Sequence, residues 1–348
     1  MPSGLPDHPL RSLVAAQLAG LVHGPAEALP VSSSAHVRVV TQVVTRGRGV
    51  APGDPELAKA TEVAAHAGTL AGLTLGLRVE IRQVLRGAAA DPARAARTAG
   101  LITLASAPTA LAAVAFERRI EQRLGSDETI AIGLVVGGFA MTLADGGLLR
   151  LRRVGGRALA RDVERGEAAP TGEADPAGAG AARGTGTPDP SGATGTTGGP
   201  GTTGAGRRGP AGDGRSWQDA TIADALLLGL AQATALWPGV SRSGAVLGAA
   251  RALGFGRGDA GWISAALAGP AVGGATALKT VRLVQRVAAG TVPRAALLPL
   301  GAVAVTSALS GRLAAPLARR TLEGVRLAPF GAYRLLVAGG LLATRPPR

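Results

Sequence analysis

Two short segments of the chain concentrate polar residues that could do chemistry, and both lie between long apolar stretches. The first, residues 23–36, reads HGPAEALPVSSSAH and places His23 and Glu27 four residues apart, ahead of three serines and His36. Residues four apart share one face of a helix, and a carboxylate beside imidazoles can transfer protons or bind a metal ion. This segment therefore predicts an acid–base or metal-binding site.

The second segment, residues 238–244, has the composition of a phosphate-binding site. It reads PGVSRSG, in which a proline and Gly239 end one helix and the serines favour the start of the next. A helix N-terminus offers free N–H groups and the positive end of the helix dipole. Arg242 can bind a phosphate through two parallel hydrogen bonds, and Ser241 and Ser243 can donate further ones. Together, the two segments suit a diphosphate, an anionic lipid and a divalent cation.

Each of these residues also has a structural interpretation. A single arginine near a membrane boundary is commonly an interfacial anchor, and serines in apolar helices commonly bond their own backbone. We favour a function for Glu27, His36 and Arg242, because polar side chains among apolar residues are costly in a bilayer. For His66, four residues after Glu62, a bond to a neighbouring helix is as good an interpretation as a function.

The elements that must position these segments are predicted to be membrane-spanning helices. Apolar residues make up 46% of the 348-residue chain and charged residues 17%, whereas about a quarter of the residues in a soluble domain are charged. Six stretches, each about as long as a bilayer-spanning helix, carry few or no charges: 98–116, 128–144, 220–236, 260–278, 294–311 and 327–343. The sequence therefore predicts an all-α integral membrane protein, a polytopic helical bundle.

The distribution of positive charge predicts which loops lie in the cytoplasm. The net charge is +14, and arginines cluster between apolar stretches, within residues 78–97 and 150–165. Cytoplasmic loops of membrane proteins carry such an excess of arginine. No aromatic stacking platform accompanies the charge, so the sequence predicts no nucleic-acid partner. The absence of cysteine excludes disulfides and thiolate metal ligands.

Residues 166–216 contain no leucine, isoleucine, valine, methionine or aromatic residue. Such a segment cannot bury enough apolar surface to offset the entropy of ordering, so we predict a disordered, Gly/Thr/Pro-rich cytoplasmic linker. It divides the chain into a first membrane half, residues 1–165, and a second membrane half, residues 217–348. In each half a proline and a serine cluster interrupt an apolar run, which indicates internal repeats whose broken helices point at one site.

The two polar segments resemble the signature segments of the undecaprenyl-diphosphate phosphatase family, which is also known for bacitracin resistance. The resemblance rests on residues 27–36 and 238–244, in the family's order, and extends to residues 62–69, 229–237 and 329–334. It implies inverted repeats with re-entrant half-helices, a site facing the periplasmic side of the bacterial plasma membrane, and dependence on Mg²⁺ or Ca²⁺. The implied partners are the bilayer and a polyprenyl diphosphate lipid, and a homodimer is left open.

Carried over by position, the resemblance also implies roles for individual residues. The implied catalytic residues are Glu27, Ser33, His36 and Arg242, and Glu27 is also the implied metal ligand. The implied substrate-binding residues are His23, Ser32, Gly239, Ser241 and Ser243. The chain departs from the family's pattern at three positions, which are His23 in place of a Glu or Gln, Ala35 in place of a Gly and Val246 in place of a Thr.

The resulting hypothesis is hydrolysis of undecaprenyl diphosphate to the monophosphate and inorganic phosphate. Arg242 and its neighbours would stabilise charge on the diphosphate, and Glu27 would hold the cation or act as a base. The attacking group stays open between water, Ser33 and His36. The alternative hypothesis is a transporter or flippase that carries polyprenyl phosphates without hydrolysis, or a weakly active divergent paralogue.

Overall fold

The computed structural model describes residues 8–45, 55–148, 214–292 and 296–344, and the regular elements in these residues are helices. In the first half they are α1 (His8–Ala28), α2 (Ser33–Thr45), α3 (Pro55–Gly76), α4 (Arg78–Ala90), α5 (Pro92–Arg123) and α6 (Asp127–Asp145). In the second half they are α7 (Ile222–Ala233), α8 (Arg242–Ala252), α9 (Arg257–Ala268), α10 (Gly274–Ala288), α11 (Leu297–Leu313), α12 (Ala315–Glu323) and α13 (Ala328–Ala343). A π-helical turn, Gly269–Gly273, joins α9 to α10. The predicted all-α fold is confirmed.

Length and composition identify several of these helices as candidate membrane spans. Within the described residues, α6 and the Pro92–Phe116 part of α5 are long and apolar enough to cross a bilayer. α11 and α12, bent by 45° at their junction, add a third span if the pair is counted as one. Large apolar side chains such as Val114 and Leu298, each 84% exposed, cover the outer faces, as lipid-facing residues do. The chain is therefore a helical membrane protein.

The predicted spans and the observed helices differ where polar or helix-breaking residues intervene. Residues 98–116 and 128–144 lie inside α5 and α6, whereas the stretch 260–278 is broken at the π-helical turn. Pro270 lacks a backbone N–H and therefore cannot continue the α-helical bonding there. α1 and α3, of 21 and 22 residues, are not among the predicted spans, because polar residues interrupt their apolar runs.

The helices pair across the two halves of the chain. α1 packs against α11, α7 packs against α5, and α6 packs against α13. Within each half two consecutive helices form a hairpin, α1 with α2 and α7 with α8. The similar order of elements in the two halves, and the packing of helices of one half against helices of the other, fit two internal repeats. The inverted orientation of one repeat relative to the other stays a prediction.

Glycines bring α3 and α11 into backbone contact. A Cβ at Gly68 would lie 2.1 Å from the carbonyl oxygen of Ala304, and one at Gly72 would lie 2.0 Å from that of Ala308. Both distances are far inside van der Waals contact, so no side chain larger than hydrogen fits along this seam. Small residues allow such close approach between membrane helices, where the hydrophobic effect contributes little. The contact along this seam fixes the position of α3 and therefore the position of His66 on that helix.

Most of the predicted linker, residues 166–216, lies outside the described residues, so the linker and the division into halves stay predictions. From residue 214 onward the chain is described, and Arg215 donates to the two carboxylate oxygens of Asp224 at 3.0 and 2.7 Å. Arg97 on α5 donates to the carbonyl oxygen of Ala220 at 2.7 Å. These bonds attach the start of α7 to α5, against which α7 packs.

Candidate active site

Two turns, one in each half, carry most of the predicted site residues. The first turn joins α1 to α2, and its Ser32, with a φ of 74°, is the one non-glycine residue of positive φ in the described ranges. The His36 ring supports this conformation, because its Nδ1 donates to the Ser32 carbonyl oxygen at 2.7 Å. The His36 Nε2 lies 2.8 Å from the hydroxyl of Tyr333 on α13. Unusual backbone of this kind clusters at functional sites.

The second turn joins α7 to α8 and depends on Gly239. Its φ is 95°, and a Cβ at this position would lie 2.1 Å from the carbonyl oxygen of Ile130. Arg334 on α13 is fully buried and donates to the carbonyl oxygen of Gly239 at 2.7 Å. The same guanidinium donates to the carbonyl oxygens of Gly133 at 3.1 Å and Leu134 at 3.2 Å. The second turn is therefore anchored to both α6 and α13.

We expect Gly239→Ala to destabilise the protein by more than ~2 kcal/mol, because the new Cβ meets backbone and a non-glycine residue pays a strain cost at this φ. Thermal unfolding of the purified protein in detergent measures the loss. Gly340→Ala on α13 is the matched control, since its Cβ would meet no described atom within 4 Å. Equal stability of the two variants would contradict the conclusion that the second turn requires a glycine at position 239.

A carboxylate, a hydroxyl and a guanidinium meet between the two turns. Ser33, the first residue of α2, donates to Glu27 Oε2 at 2.8 Å. Arg242, the first residue of α8, places Nη2 3.4 Å from Glu27 Oε1. The side chains of this ion pair are only 18% and 17% exposed. The structure thus brings three predicted site residues, from both halves of the chain, to one point.

The two serines beside Arg242 hold the turns in place. Ser241 caps α8, because its Oγ accepts a hydrogen bond from the backbone N–H of Gly244 at 3.2 Å. Ser243 donates to the carbonyl oxygen of Leu29 at 3.3 Å, which joins α8 to the first turn. Their hydroxyls therefore position Arg242 against the first turn as well as bordering the site.

A cavity of about 270 Å³ opens beside these groups. The predicted site residues on its wall are Glu27, Ser32, Ser33, Ser241, Arg242 and Ser243. The other polar residues on its wall are Ser34, His66, Thr109, Gln232, Thr276 and Lys279. Apolar residues of α1, α3, the α7–α8 connection, the π-helical turn and α10 complete the wall. Hydroxyls, a guanidinium and an ammonium beside apolar residues suit an anionic headgroup that carries an apolar chain.

Three predicted site residues lie off the cavity wall. His36 is engaged by the first turn and by α13, and Gly239 contributes its backbone conformation. His23 is 2% exposed and lies beside Glu27. Sequence reasoning missed Thr109 and Thr276 on the wall, although each is a polar residue within a predicted apolar stretch, 98–116 or 260–278, a signal that could have found them.

One cluster beside the cavity has the composition of a metal site. His23, Glu27 and His66 each offer a ligand atom, and these atoms all lie within 4.8 Å of one another. The two imidazole rings meet edge to face, with centroids 4.3 Å apart. His23 Nδ1 lies 3.0 Å from Thr69 Oγ1, and His66 Nδ1 donates to the Glu62 carbonyl oxygen at 3.0 Å. The cluster joins α1 to α3 directly behind the Glu27–Arg242 pair.

The fold and the site together define a helical membrane protein with a polar cavity beside two serine-rich turns. Comparison with known families then identifies the group within this class. The family of bacitracin resistance protein BacA matches residues 16–174 and 202–340, and the chain belongs to this family. The resemblance seen in the two polar segments is confirmed.

Curated relatives match the chain over nearly its whole length. Undecaprenyl-diphosphatase of Geobacter sulfurreducens is 30% identical over 336 residues, which cover 94% of this chain and 96% of the relative. The undecaprenyl-diphosphatases of Pelobacter propionicus and Campylobacter curvus are each 27% identical and cover 95% and 92% of this chain. The matches cover 97% and 95% of those two relatives.

Proposed function

We propose that this protein hydrolyses undecaprenyl diphosphate to undecaprenyl phosphate and inorganic phosphate. This reaction recycles the lipid carrier of peptidoglycan synthesis and confers resistance to bacitracin. The observation that carries the proposal is the contact of Glu27 with Ser33 and Arg242 on one cavity wall. A base, a nucleophile and a phosphate-binding cation are parts that hydrolysis of a phosphoric anhydride uses. The name of the relatives supplies the lipid.

Arg242 is proposed to bind the terminal phosphate. It begins α8, where the positive end of the helix dipole favours an anion. Its contact with Glu27, at 3.4 Å, is long for a charge-assisted hydrogen bond, so a phosphate can compete for the guanidinium. Two parallel N–H groups then stabilise the charge on the phosphoryl oxygens as the bond to the bridging oxygen breaks.

Ser33 is proposed as the attacking group. Its hydroxyl already donates to Glu27, so the carboxylate accepts the proton while Ser33 Oγ attacks the terminal phosphorus. The bond from this phosphorus to the bridging oxygen breaks, and the departing undecaprenyl phosphate takes the proton from Glu27. Water then attacks the phosphorus of the phosphoserine, and Glu27 accepts a proton from the water. The bond from phosphorus to Ser33 Oγ breaks, Glu27 returns the proton to Ser33 Oγ, and inorganic phosphate leaves. His36 receives no chemical step, because both its ring nitrogens are engaged away from the cavity.

The Mg²⁺ or Ca²⁺ ion that the family resemblance implies, with Glu27 as ligand, does not fit the residues present. These ions take oxygen ligands, chiefly carboxylates and carbonyls. Among the described residues on the cavity wall, Glu27 is the only carboxylate. Its neighbours in the cluster are the imidazoles of His23 and His66. The proposed reaction therefore includes no step on Mg²⁺ or Ca²⁺.

The proposed location is the bacterial plasma membrane, with the site open to its periplasmic side. The arginine clusters at residues 78–97 and 150–165 support a cytoplasmic position for the α3–α5 connection and for the chain after α6. Labelling of single introduced cysteines in intact cells tests this orientation.

Release of phosphate from undecaprenyl diphosphate by the purified protein in detergent tests the function. We expect Ser33→Ala to lower the rate at least ~100-fold, and acid quenching with labelled substrate to trap a phosphoserine at Ser33. Ser106→Ala is the control, because the Ser106 hydroxyl bonds the Ile102 carbonyl oxygen of its own helix. A parent protein that binds the lipid and releases no phosphate would favour the transporter. Full activity of Ser33→Ala would show that Ser33 is not the attacking group and would favour direct attack by water.

A further inference from the structure

We propose that His23, Glu27 and His66 form a binding site for a transition-metal ion of the zinc type, in place of Mg²⁺ or Ca²⁺. The proposal concerns the metal chemistry of this chain and goes beyond the proposed reaction. It rests on the geometry of the cluster, on the burial of His23 and on the chemistry of its donor atoms.

The hydrogen bonds of the two imidazoles prepare both rings to bind a metal. A carbonyl oxygen only accepts, so His66 carries its proton on Nδ1, which donates to the Glu62 carbonyl oxygen, and its Nε2 keeps the lone pair. His23 Nδ1 lies 3.0 Å from Thr69 Oγ1, which leaves its Nε2 as the second donor. Metal-binding histidines characteristically use one nitrogen for the metal and fix the other by a bond to an oxygen.

The Nε2 atom of His23 is a buried polar atom without a described hydrogen-bond partner. The residue is 2% exposed, and this nitrogen is buried with no hydrogen-bond partner in the described part of the chain. Buried polar atoms are satisfied in the great majority of cases, and each exception calls for a cause such as an ion. A metal held between His23 and Glu27 satisfies this nitrogen.

The spacing of the donors is close to that of a three-ligand site. Their ligand atoms lie within 4.8 Å of one another, and donors at ~2.1 Å from a tetrahedral ion are about 3.4 Å apart. Side-chain rotations that bring the donor atoms up to about 1.4 Å closer together close the difference, and Glu27 and His66 are only partly buried. α1 and α3 pack against each other and both pack against α11, so the two helices that carry the donors are held together.

The kind of donor selects the kind of ion. Imidazole nitrogen suits Zn²⁺, Co²⁺ and similar ions, whereas Mg²⁺ and Ca²⁺ prefer sites made of oxygen. Two histidines and one glutamate also make up the ligand set of several catalytic zinc sites, in which a fourth position stays open. Here Glu27 and His66 border the cavity, so the fourth position would face the substrate. The substitution at His23 thus changes the metal that this site prefers.

Metal binding by the purified full-length protein, without substrate, tests the proposal separately from the hydrolysis. After treatment with chelator, the protein is titrated with Co²⁺, and the visible spectrum is followed while Zn²⁺, Mg²⁺ or Ca²⁺ is added as competitor. We expect one Co²⁺ per chain with a nitrogen-ligand spectrum, displacement by Zn²⁺, and no displacement by Mg²⁺ or Ca²⁺ at a hundredfold higher concentration.

Three variants decide which residues bind the ion. His23→Gln and His66→Gln should each weaken Co²⁺ binding at least ~10-fold, the size of effect that losing a ligand or its support produces. His36→Gln, on a histidine outside the cluster, should bind Co²⁺ as the parent does. His23→Glu should fold like the parent and let Mg²⁺ compete. Mg²⁺ competition in the parent, or an equal loss in His36→Gln, would overturn the proposal whether or not the protein hydrolyses the lipid.

Discussion

Arg242→Ala should lower the rate of phosphate release at least ~100-fold while the protein stays folded in the membrane, a loss of about 2.7 kcal/mol of transition-state stabilisation. The guanidinium carries the positive charge at the start of α8 and faces the cavity beside Glu27. Without it, Lys279 is the lysine or arginine that remains on the described cavity wall, and its ammonium lies 3.8 Å from Glu62 rather than at the start of α8. Steady-state kinetics on the lipid diphosphate, with circular dichroism to check folding, measure the effect.

A lysine at the same position should recover little of this loss. An ammonium is a point charge and cannot make the two parallel bonds of a guanidinium. Arg38→Ala is the control, since Arg38 forms a half-exposed ion pair with Asp127 on another face and should leave the rate unchanged. If Arg242→Ala kept more than about a tenth of the parent's activity, a cost below ~1.4 kcal/mol, Arg242 would not bind the transferred phosphate.

Arg334→Ala should destabilise the protein by about 3–5 kcal/mol and abolish phosphate release. The guanidinium is fully buried and donates to the carbonyl oxygens of Gly133, Leu134 and Gly239. An alanine leaves the Gly239 carbonyl oxygen without a described donor, at about 1–3 kcal/mol for a buried unsatisfied group, and it opens a cavity where the guanidinium packs against α6. Thermal unfolding in detergent and the phosphate-release assay measure the two effects.

Two further variants separate the anchoring of the turn from general damage to the core. Gly133→Ala should impair activity in the same way, because its Cβ would lie 2.6 Å from the carbonyl oxygen of Pro238 in the second turn. Arg319→Ala removes a partly exposed ion pair with Glu80, which is worth at most about 1 kcal/mol. Parent-like activity of Gly133→Ala, or equal destabilisation by Arg319→Ala and Arg334→Ala, would disprove the role given to Arg334.

The sequence predicts the fold class and the two turns for a clear physical reason. Hydroxyls, a carboxylate and a guanidinium are costly between apolar runs, so their concentration in two short segments marks a site. The structure brings Glu27, Ser33 and Arg242 from those segments into contact. The polar residues of α1 and α3 also explain why the sequence does not predict these two helices as membrane spans, because they lower the mean hydropathy of the helices that carry the site.

Other parts of the site depend on contacts that no local pattern contains. Arg334 lies 95 residues from Gly239 along the chain, and its fully buried position follows only from the packing of α6 against α13. His36 has the residue type of a catalyst, yet its partners are a turn carbonyl and Tyr333. The pairing of His23 with His66 likewise requires α1 and α3 to be neighbours, which spacing within one segment cannot reveal.

The backbone contacts beside the cavity differ between the α3–α11 seam and the π-helical turn that joins α9 to α10. The wall formed by α1 and α3 is backed by α11, along whose seam with α3 the backbones touch at Gly68 and Gly72. At the π-helical turn and the start of α10, side chains placed at Gly269, Gly273 or Gly274 would meet no described atom within 4 Å. We therefore expect this segment, rather than the seam between α3 and α11, to yield to the girth of a lipid tail. The residues that set the catalytic geometry would then lie in one part of the chain, and the residues that accommodate a bulky lipid tail in another.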